Sequence, residues 1–297
     1  MSLFVKNVFY PKFLSTRPLS ATKDNFKNFF ISVHHNLTSH WDCSKKILFN
    51  SPSKEFCSKN CSSEEHPPKP SGIPGIIFQR ASPKDLTIVQ GLLRYSFFKD
   101  EPILKALGWT DKIDPDFIAH QGKLLLEGLT ILAIDATKNQ IIAAAINRTA
   151  VSGEHIAKEQ EIDQIQCPLT QRLARFWNEM SCKPDIFAMF DVPEYMEITY
   201  LVTTPAARGK RLAEKLSRES LLLAKETGAP LAVMYCTNIA SARIAQKLSM
   251  KLIGSECICN YFSGPDLLGL INLPYPNDRV YVFAITVNMD SKDGECS

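Results

Sequence analysis

The sequence lacks several features that would place it in a specialised class. No uninterrupted apolar stretch approaches the roughly 18 to 20 residues that a membrane span needs. No Cys-x-x-Cys pair, which common zinc sites use, is present. The formal net charge is only +3, too small to indicate a nucleic-acid-binding protein by itself. We therefore expect neither a membrane nor a nucleic-acid partner, and no metal.

Disulfide bonds are not expected either. The chain has nine cysteines, an odd number, and several lie in apolar runs such as Met234-Tyr235-Cys236. This pattern favours reduced, buried thiols in an intracellular protein, and we expect the chain in the cytoplasm. A zinc set can be read only from scattered residues of the first quarter, where disorder explains the composition better: His40, Cys43, Cys57, Cys61 and His66.

The head of the chain is basic, with ten lysine or arginine and five acidic residues up to Pro70. Residues 1–23 carry no acidic residue, which is typical of a mitochondrial transit peptide; a basic disordered tail is the alternative. Residues 50–74 have the Ser- and Pro-rich composition of a linker. We predict an extension and linker at 1–72, a catalytic domain at 73–288 and a flexible tail at 289–297.

After Gly75 the sequence alternates between short apolar runs and segments of helical spacing. Ser82 caps a first helix, Pro83 suits its first turn, and Pro102 follows its end. The predicted strands are 76–78, 130–135, 140–147, 195–204, 231–236, 252–259 and 280–287, and the predicted helices are 82–99, 114–129, 168–180, 212–228 and 239–248. This order predicts one α+β domain on a mixed sheet.

The segment from Leu201 to Ala213 carries the most chemical information. An apolar strand ends, a basic turn with Arg208, Lys210 and Arg211 follows, and a helix begins. Backbone N–H groups at such a helix start, with its positive dipole end, form a site for a pyrophosphate. A solvated basic helix start is the alternative interpretation.

This segment resembles the GNAT superfamily of acetyl-CoA-dependent N-acetyltransferases, in which the loop reads Arg/Gln-x-x-Gly-x-Gly/Ala. Arg208 and Ala213 match its ends, Arg211 stands where glycine is usual, and Gly209 lies nearby. The resemblance implies a mixed, mostly antiparallel sheet flanked by helices. It also implies that the strand at Leu201, Val202 and Thr203 holds the pantetheine arm, and that the loop through Gly209, Lys210, Arg211, Leu212 and Ala213 holds the pyrophosphate of acetyl-CoA.

A second motif begins at Asn238. The segment to Met250 resembles the superfamily's Asn-x-x-Ala-x-x-x-Tyr-x-Lys-x-Gly-Phe helix. Asn238 and Lys247 match; Ala245 stands at the tyrosine, and Ser249 stands at the glycine. The match implies that Asn238 contributes to the cofactor site.

A third motif indicates the subfamily. Asp100-Glu101-Pro102 resembles the Asp-Glu-Pro-Leu motif of insect-type arylalkylamine N-acetyltransferases, as does Asn277-Asp278-Arg279. The resemblance implies that Glu101 is the general base and that Ser241 is catalytic. Chemistry requires such a base, because a protonated amine cannot attack a thioester, and partial burial beside Phe97 and Phe98 suits it. Asp100 is the alternative base.

The acceptor is then the primary amine of a small arylalkylamine of the dopamine, tyramine, octopamine, serotonin or tryptamine type. Side chains that could line its pocket, although core packing also explains them, are Tyr95, Phe98, Trp109, Thr199 and Tyr200. A GNAT enzyme for an amino acid, a polyamine or a protein N-terminus is a second hypothesis. A GNAT module that binds acyl-CoA without turnover is a third.

Overall fold

A single sheet organises the residues that the computed structural model describes, which are 67–108 and 115–287. Its strands are β1 Lys69–Ile73, β2 Ile76–Arg80, β3 Ile131–Asp135, β4 Gln140–Val151, β5 Glu194–Thr203, β6 Leu231–Cys236, β7 Lys251–Cys257 and β8 Arg279–Thr286. Their order across the sheet is β1-β2-β3-β4-β5-β6-β8-β7. Only β5 and β6 pair in parallel; the other neighbours are antiparallel. The predicted mixed, mostly antiparallel α+β sheet is confirmed.

Helices cover both faces of the sheet. They are α1 Leu86–Leu92, α2 Pro102–Ala106, α3 Pro115–Leu126, α4 Glu154–Ile162, α5 Pro168–Met180, α6 Ile186–Phe190, α7 Leu212–Thr227, α8 Ile239–Lys247 and α9 Gly264–Leu270. On one face α7 buries Leu212 and Leu216 against β2 to β5. On the other face a larger core joins α1, α2, α5 and α9. None of the helices in this part of the chain is long and apolar enough to cross a membrane.

Most predicted elements are present within a few residues, and α5 has the predicted bounds. The first predicted helix is not continuous: a 3-10 turn at Pro83–Asp85 precedes α1, and a π-helical turn at Leu93–Phe97 follows it. Helix α4 was not predicted from the sequence, because a mostly charged helix with Ile162 as its only buried residue has little apolar periodicity. Helices α2 and α9 were not predicted either, because they are too short to show a period.

Strand β1 lies in the segment whose composition predicted a linker. Pro70 is tolerated because β1 is an edge strand of the sheet. The Ser71 hydroxyl donates to the Ile76 carbonyl at 2.7 Å, and the Lys215 ammonium donates to the Ser71 carbonyl at 3.1 Å. The predicted transit peptide, the zinc alternative, the tail from residue 289 and Trp109 lie outside the described residues.

Candidate active site

Strands β5 and β6 pair over only a short stretch. Met196 and Glu197 pair with Ala232 and Val233, while β5 continues to Thr203 and stays paired with β4 on its other side. The edge of β5 toward β6 therefore has no partner strand beyond Glu197 within the described residues. We call this gap the cleft. The predicted residues Leu201, Val202 and Thr203 lie along it, and their backbone groups can bind an extended ligand.

A bulge bends β5 at the cleft. Asn147 pairs with Ile198 and Ile146 pairs with Tyr200, so Thr199 is an extra residue on β5. The bulge lets Tyr195, Glu197 and Tyr200 share the face of the sheet that carries the larger core. We call this face the acceptor face.

The basic loop lies at the end of β5, as predicted. After a 3-10 turn at Pro205–Ala207 the chain passes through Gly209, with φ +79°, and Arg211, with φ 59°. Arg211 thus adopts the left-handed conformation that glycine would favour at this position. Helix α7 begins at Leu212 without a side-chain hydrogen bond to cap it. The positive end of a 16-residue helix therefore faces the loop, which suits an anionic ligand.

The loop arginines differ in their contacts. Arg208 forms an ion pair with Asp100 and donates to the Ser96 carbonyl at 3.3 Å. It thereby connects the loop to the segment that carries Glu101. Lys210 and Arg211 are exposed. Asp100 is engaged in this ion pair, whereas Glu101 is not.

Glu101 is a buried carboxylate with one oxygen that lacks a hydrogen-bond partner among the described residues. It is 7% exposed, and its Oε2 accepts from the Leu104 backbone N–H at 2.7 Å, capping α2. Its buried Oε1 has no hydrogen-bond partner in the described part of the chain. Burial raises the pKa of Glu101, opposed by the Leu104 N–H and the nearby Thr237 side chain. A buried carboxylate with one unpartnered oxygen and a raised pKa is suited to accept a proton.

Three aromatic rings pack against one another near Glu101. The ring centroids of Phe97 and Phe98 lie 5.3 Å and 6.3 Å from that of Tyr200, in edge-to-face geometry. Burial raises the pKa of Tyr200, and the nearby Glu197 and Glu101 carboxylates raise it further. Tyr95, by contrast, is 36% exposed with Arg94 over its ring, so it does not belong to the aromatic cluster of Phe97, Phe98 and Tyr200.

The second motif begins α8 at the far side of the cleft. The Asn238 side chain caps this helix by accepting from the Ser241 backbone N–H at 2.9 Å. The Ser241 hydroxyl donates to the Asn238 carbonyl, also at 2.9 Å. Thr237 precedes this cap and lies beside Glu101. It was not predicted as a site residue, because nothing in its local sequence pattern distinguishes it. The structure thus brings Glu101 close to the start of the second motif.

Two other positions of this motif have structural consequences. Ala245, at the position of the family's tyrosine, is fully buried. Ser249 has φ 61°, the conformation that the family's glycine would favour. Burial raises the pKa of Cys236 to about 12, which disfavours the thiolate that an acyl-accepting nucleophile needs.

A buried ion network lies farther along the acceptor face and was also missed. The Arg148 guanidinium donates to Glu197 at 2.7 Å and to Glu154 at 2.8 Å. Both of its partners are carboxylates from other elements, β5 and α4. Glu197 is therefore already held in an ion pair with Arg148. Among the residues described, no group of three or more His, Cys, Asp or Glu could hold a metal ion.

Comparisons with solved structures identify the fold. Arylalkylamine N-acetyltransferase 2 from Aedes aegypti is similar with a TM-score of 0.65 and 25% identity, covering 72% of this chain and 99% of that chain. The mosquito arylalkylamine N-acetyltransferase like 5b gives a TM-score of 0.65 at 16% identity, covering 71% and 99%. A Drosophila melanogaster polyamine N-acetyltransferase that forms N-acetylagmatine gives 0.63 at 19%, covering 71% and 99%. No protein-family model and no curated protein sequence matches the chain.

The chain therefore has the GNAT fold, and the solved structures that share this fold with it include insect arylalkylamine and polyamine N-acetyltransferases. This confirms the resemblance read from the sequence motifs. A fold of this class implies a site for acyl-CoA. The residues of the cleft and of the basic loop are of the kind that such a site needs.

Proposed function

We propose that the chain transfers the acetyl group of acetyl-CoA to the primary amine of a small arylalkylamine, by direct attack in a ternary complex. The observation that carries this proposal is Glu101: a buried carboxylate, unpartnered at Oε1, beside the aromatic rings of Phe97, Phe98 and Tyr200. Such a carboxylate suits a base that must deprotonate an amine held by an aromatic pocket.

Acetyl-CoA occupies the cleft in this proposal. The backbone of Leu201, Val202 and Thr203 holds the pantetheine arm, and the loop from Arg208 to Ala213 holds the pyrophosphate. The left-handed conformations of Gly209 and Arg211 support this assignment, because they turn the chain sharply before α7. Asn238 contributes by holding the start of α8 beside the cleft.

The chemical step follows from these positions. Glu101 accepts a proton from the ammonium group, and the freed nitrogen attacks the thioester carbonyl carbon. The carbon–nitrogen bond forms and the carbon–sulfur bond breaks. Overall, an ammonium and a thioester give an amide, the CoA thiol and one released proton. We assign Ser241 a catalytic role as well, on its position at the start of α8 near Thr237 and the cleft.

The charges on the acceptor face favour an arylalkylamine over a polyamine. A polyamine or agmatine carries a second cation, which needs a second carboxylate in the pocket. Glu197 lies on the same face, but Arg148 already holds it at 2.7 Å. The similarity to the Drosophila polyamine enzyme makes a polyamine acceptor the second candidate.

An amine panel tests the proposal. CoA release is followed with acetyl-CoA and dopamine, tyramine, octopamine, serotonin, tryptamine, agmatine, spermidine or an N-terminal peptide. We expect turnover with arylalkylamines and at least tenfold lower kcat/KM with agmatine and spermidine. A preference for the dications would instead establish the second candidate. Acetyl-CoA binding without turnover on any amine would support a non-catalytic acyl-CoA-binding module.

We also propose that residues 73–288 form the catalytic domain, and that β1, which begins at Lys69 and pairs with β2, completes its sheet. Because β1 pairs with β2, a chain shortened to Glu64 should keep full activity, while one shortened to Ile76 should unfold at lower temperature. The protein is assigned to the cytoplasm, with the mitochondrion as the alternative. A reporter fused to residues 1–66 distinguishes these compartments by its location in the cell.

A further inference from the structure

Helix α9 lies against α2 at a glycine. A Cβ atom added to Gly269 would overlap the carbonyl oxygen of Ala106 and lie 3.1 Å from its carbonyl carbon. Both obstacles are backbone atoms, which cannot rotate away as a flexible side chain can. Any larger residue at position 269 therefore forces the two helices apart.

Helix α2 transmits such a shift to Glu101 because it is very short. The helix spans five residues, and Glu101 is its N-cap. The Glu101 side chain accepts from Leu104 at 2.7 Å, and its carbonyl accepts from the Lys105 N–H at 3.0 Å. The carboxylate and Ala106 are thus connected through little more than one helical turn.

Helix α9 also contacts α5. Asp266 forms an ion pair with Arg172 of α5, and Leu270 is buried in the core that contains Phe176 of the same helix. These contacts resist movement of α9 away from α2. An added atom at position 269 therefore displaces α2 as well as α9.

We infer that Gly269 is a positioning residue: its missing side chain lets α9 press directly on α2 and fixes the Glu101 carboxylate in place. The inference rests on the proposed function only where it concerns catalysis. The placement of the carboxylate is independent of what the protein acetylates.

The first test therefore needs no turnover. The Glu101 carboxyl is titrated by ¹³C NMR in the full chain, with Glu101→Gln identifying its signal. Gly269→Ala should lower the pKa of Glu101 toward its ordinary value, because displaced packing admits water. Gly91→Ala is the matched control: it is also a helical glycine, and an added Cβ would meet nothing within 4 Å. Identical titrations of Glu101 in both variants would overturn the inference.

Kinetics provide the second test. Gly269→Ala should lower kcat/KM by about 10- to 100-fold, the loss expected from a misplacement near 1 Å, while the Kd for acetyl-CoA stays within twofold. In the Glu101→Gln background the same substitution should cost less than threefold, because its effect passes through that carboxylate. An equal loss in both backgrounds would show general damage and overturn the inference. An inactive wild type would contradict the proposed function instead, and the NMR titration would still decide the inference.

A milder variant covers the case in which Gly269→Ala does not fold. Asp266→Asn removes the ion pair to Arg172 and leaves α9 less restrained. It should move the Glu101 titration in the same direction by a smaller amount. If the titration is unchanged although the ion pair is lost, α9 does not position the carboxylate.

Discussion

The cleft has two sides that depend on different physical effects. The acceptor side carries Glu101 and the aromatic residues of the acceptor face, and the loop side carries the basic loop from Arg208 to Ala213. On the acceptor side one carboxylate, Glu101, is 7% exposed among aromatic rings. On the loop side Arg208, Lys210 and Arg211 are exposed cations around a sharply turned backbone. Desolvation governs the first side, while backbone conformation and screened charge govern the second. Substitutions should therefore change the rate on the acceptor side and the cofactor affinity on the loop side.

The largest expected effect is on the acceptor side. Glu101→Gln keeps the shape and the cap on Leu104 but removes the base. We expect kcat/KM to fall by about 10²- to 10⁴-fold at neutral pH, the range typical of general-base catalysis. Acetyl-CoA affinity measured by calorimetry should stay unchanged. Glu127→Gln is the control, because Glu127 also accepts a backbone N–H, from Thr149 at 3.0 Å.

The pH dependence sharpens this prediction. A base acts when deprotonated, and burial raises the pKa of Glu101. In the wild type kcat/KM should therefore rise with pH through an apparent pKa shared by the carboxylate and the amine. The deficit of Glu101→Gln should shrink at high pH, where more amine is already neutral. A fully active Glu101→Gln enzyme at pH 7 would rule out the assignment, and Asp100→Asn would be tested next.

The next effect is on the loop side. Valine at position 209 must adopt φ near +79° or distort the loop, at a cost of about 1–2 kcal/mol. Acetyl-CoA should then bind about tenfold more weakly, with a smaller change in kcat. Gly153→Val is the control, because Gly153 has φ +78° and lies at the start of α4, away from the cleft. Equal affinity in both variants would separate the loop from cofactor binding.

The loop side could be predicted only in part from the sequence, because its backbone adopts a glycine-like conformation at positions where the residue type differs from the family motif. The family motifs have glycine where this chain has Arg211 and Ser249, so a pattern of residue types matches only in part. Both residues nevertheless adopt left-handed conformations, with φ 59° and 61°. The backbone therefore makes the same turn at these two positions although the residue is not glycine. The apolar periods on either side were sufficient to predict β5, α7 and α8.

The acceptor side could be predicted less completely. The motif around Glu101 was visible in the sequence, but the helix that its side chain caps, α2, is too short to show a helical period. The contact of Thr237 with Glu101 and the ion pair of Arg148 with Glu197 join residues far apart in the chain. Local patterns carry no information on such pairs, so only the folded structure reveals them.

A moderate effect is expected at the second motif, where capping and catalysis overlap. Ser241→Ala should lower kcat severalfold without lowering the melting temperature, because Asn238 still accepts the backbone N–H of residue 241. Asn238→Ala removes that cap and should lower the free energy of unfolding by about 1 kcal/mol. Parallel kinetic and thermal measurements separate the two roles. Unchanged kcat in Ser241→Ala would reduce Ser241 to a structural residue.

The smallest expected effect isolates backbone conformation on the loop side. Arg211→Gly and Arg211→Ala remove the same charge and differ only in a Cβ atom at a position with φ 59°. A left-handed conformation costs an L-residue about 1 kcal/mol more than glycine, although glycine loses more chain entropy on folding. Urea denaturation should therefore show the glycine variant to be more stable than the alanine variant by up to about 1 kcal/mol. If the loop binds pyrophosphate mainly through backbone N–H groups, the glycine variant should also keep the wild-type Kd for acetyl-CoA within about threefold. A large loss of affinity in both variants would mean that the Arg211 charge binds the ligand, and the contrast between a desolvated acceptor side and a backbone-governed loop side would then fail.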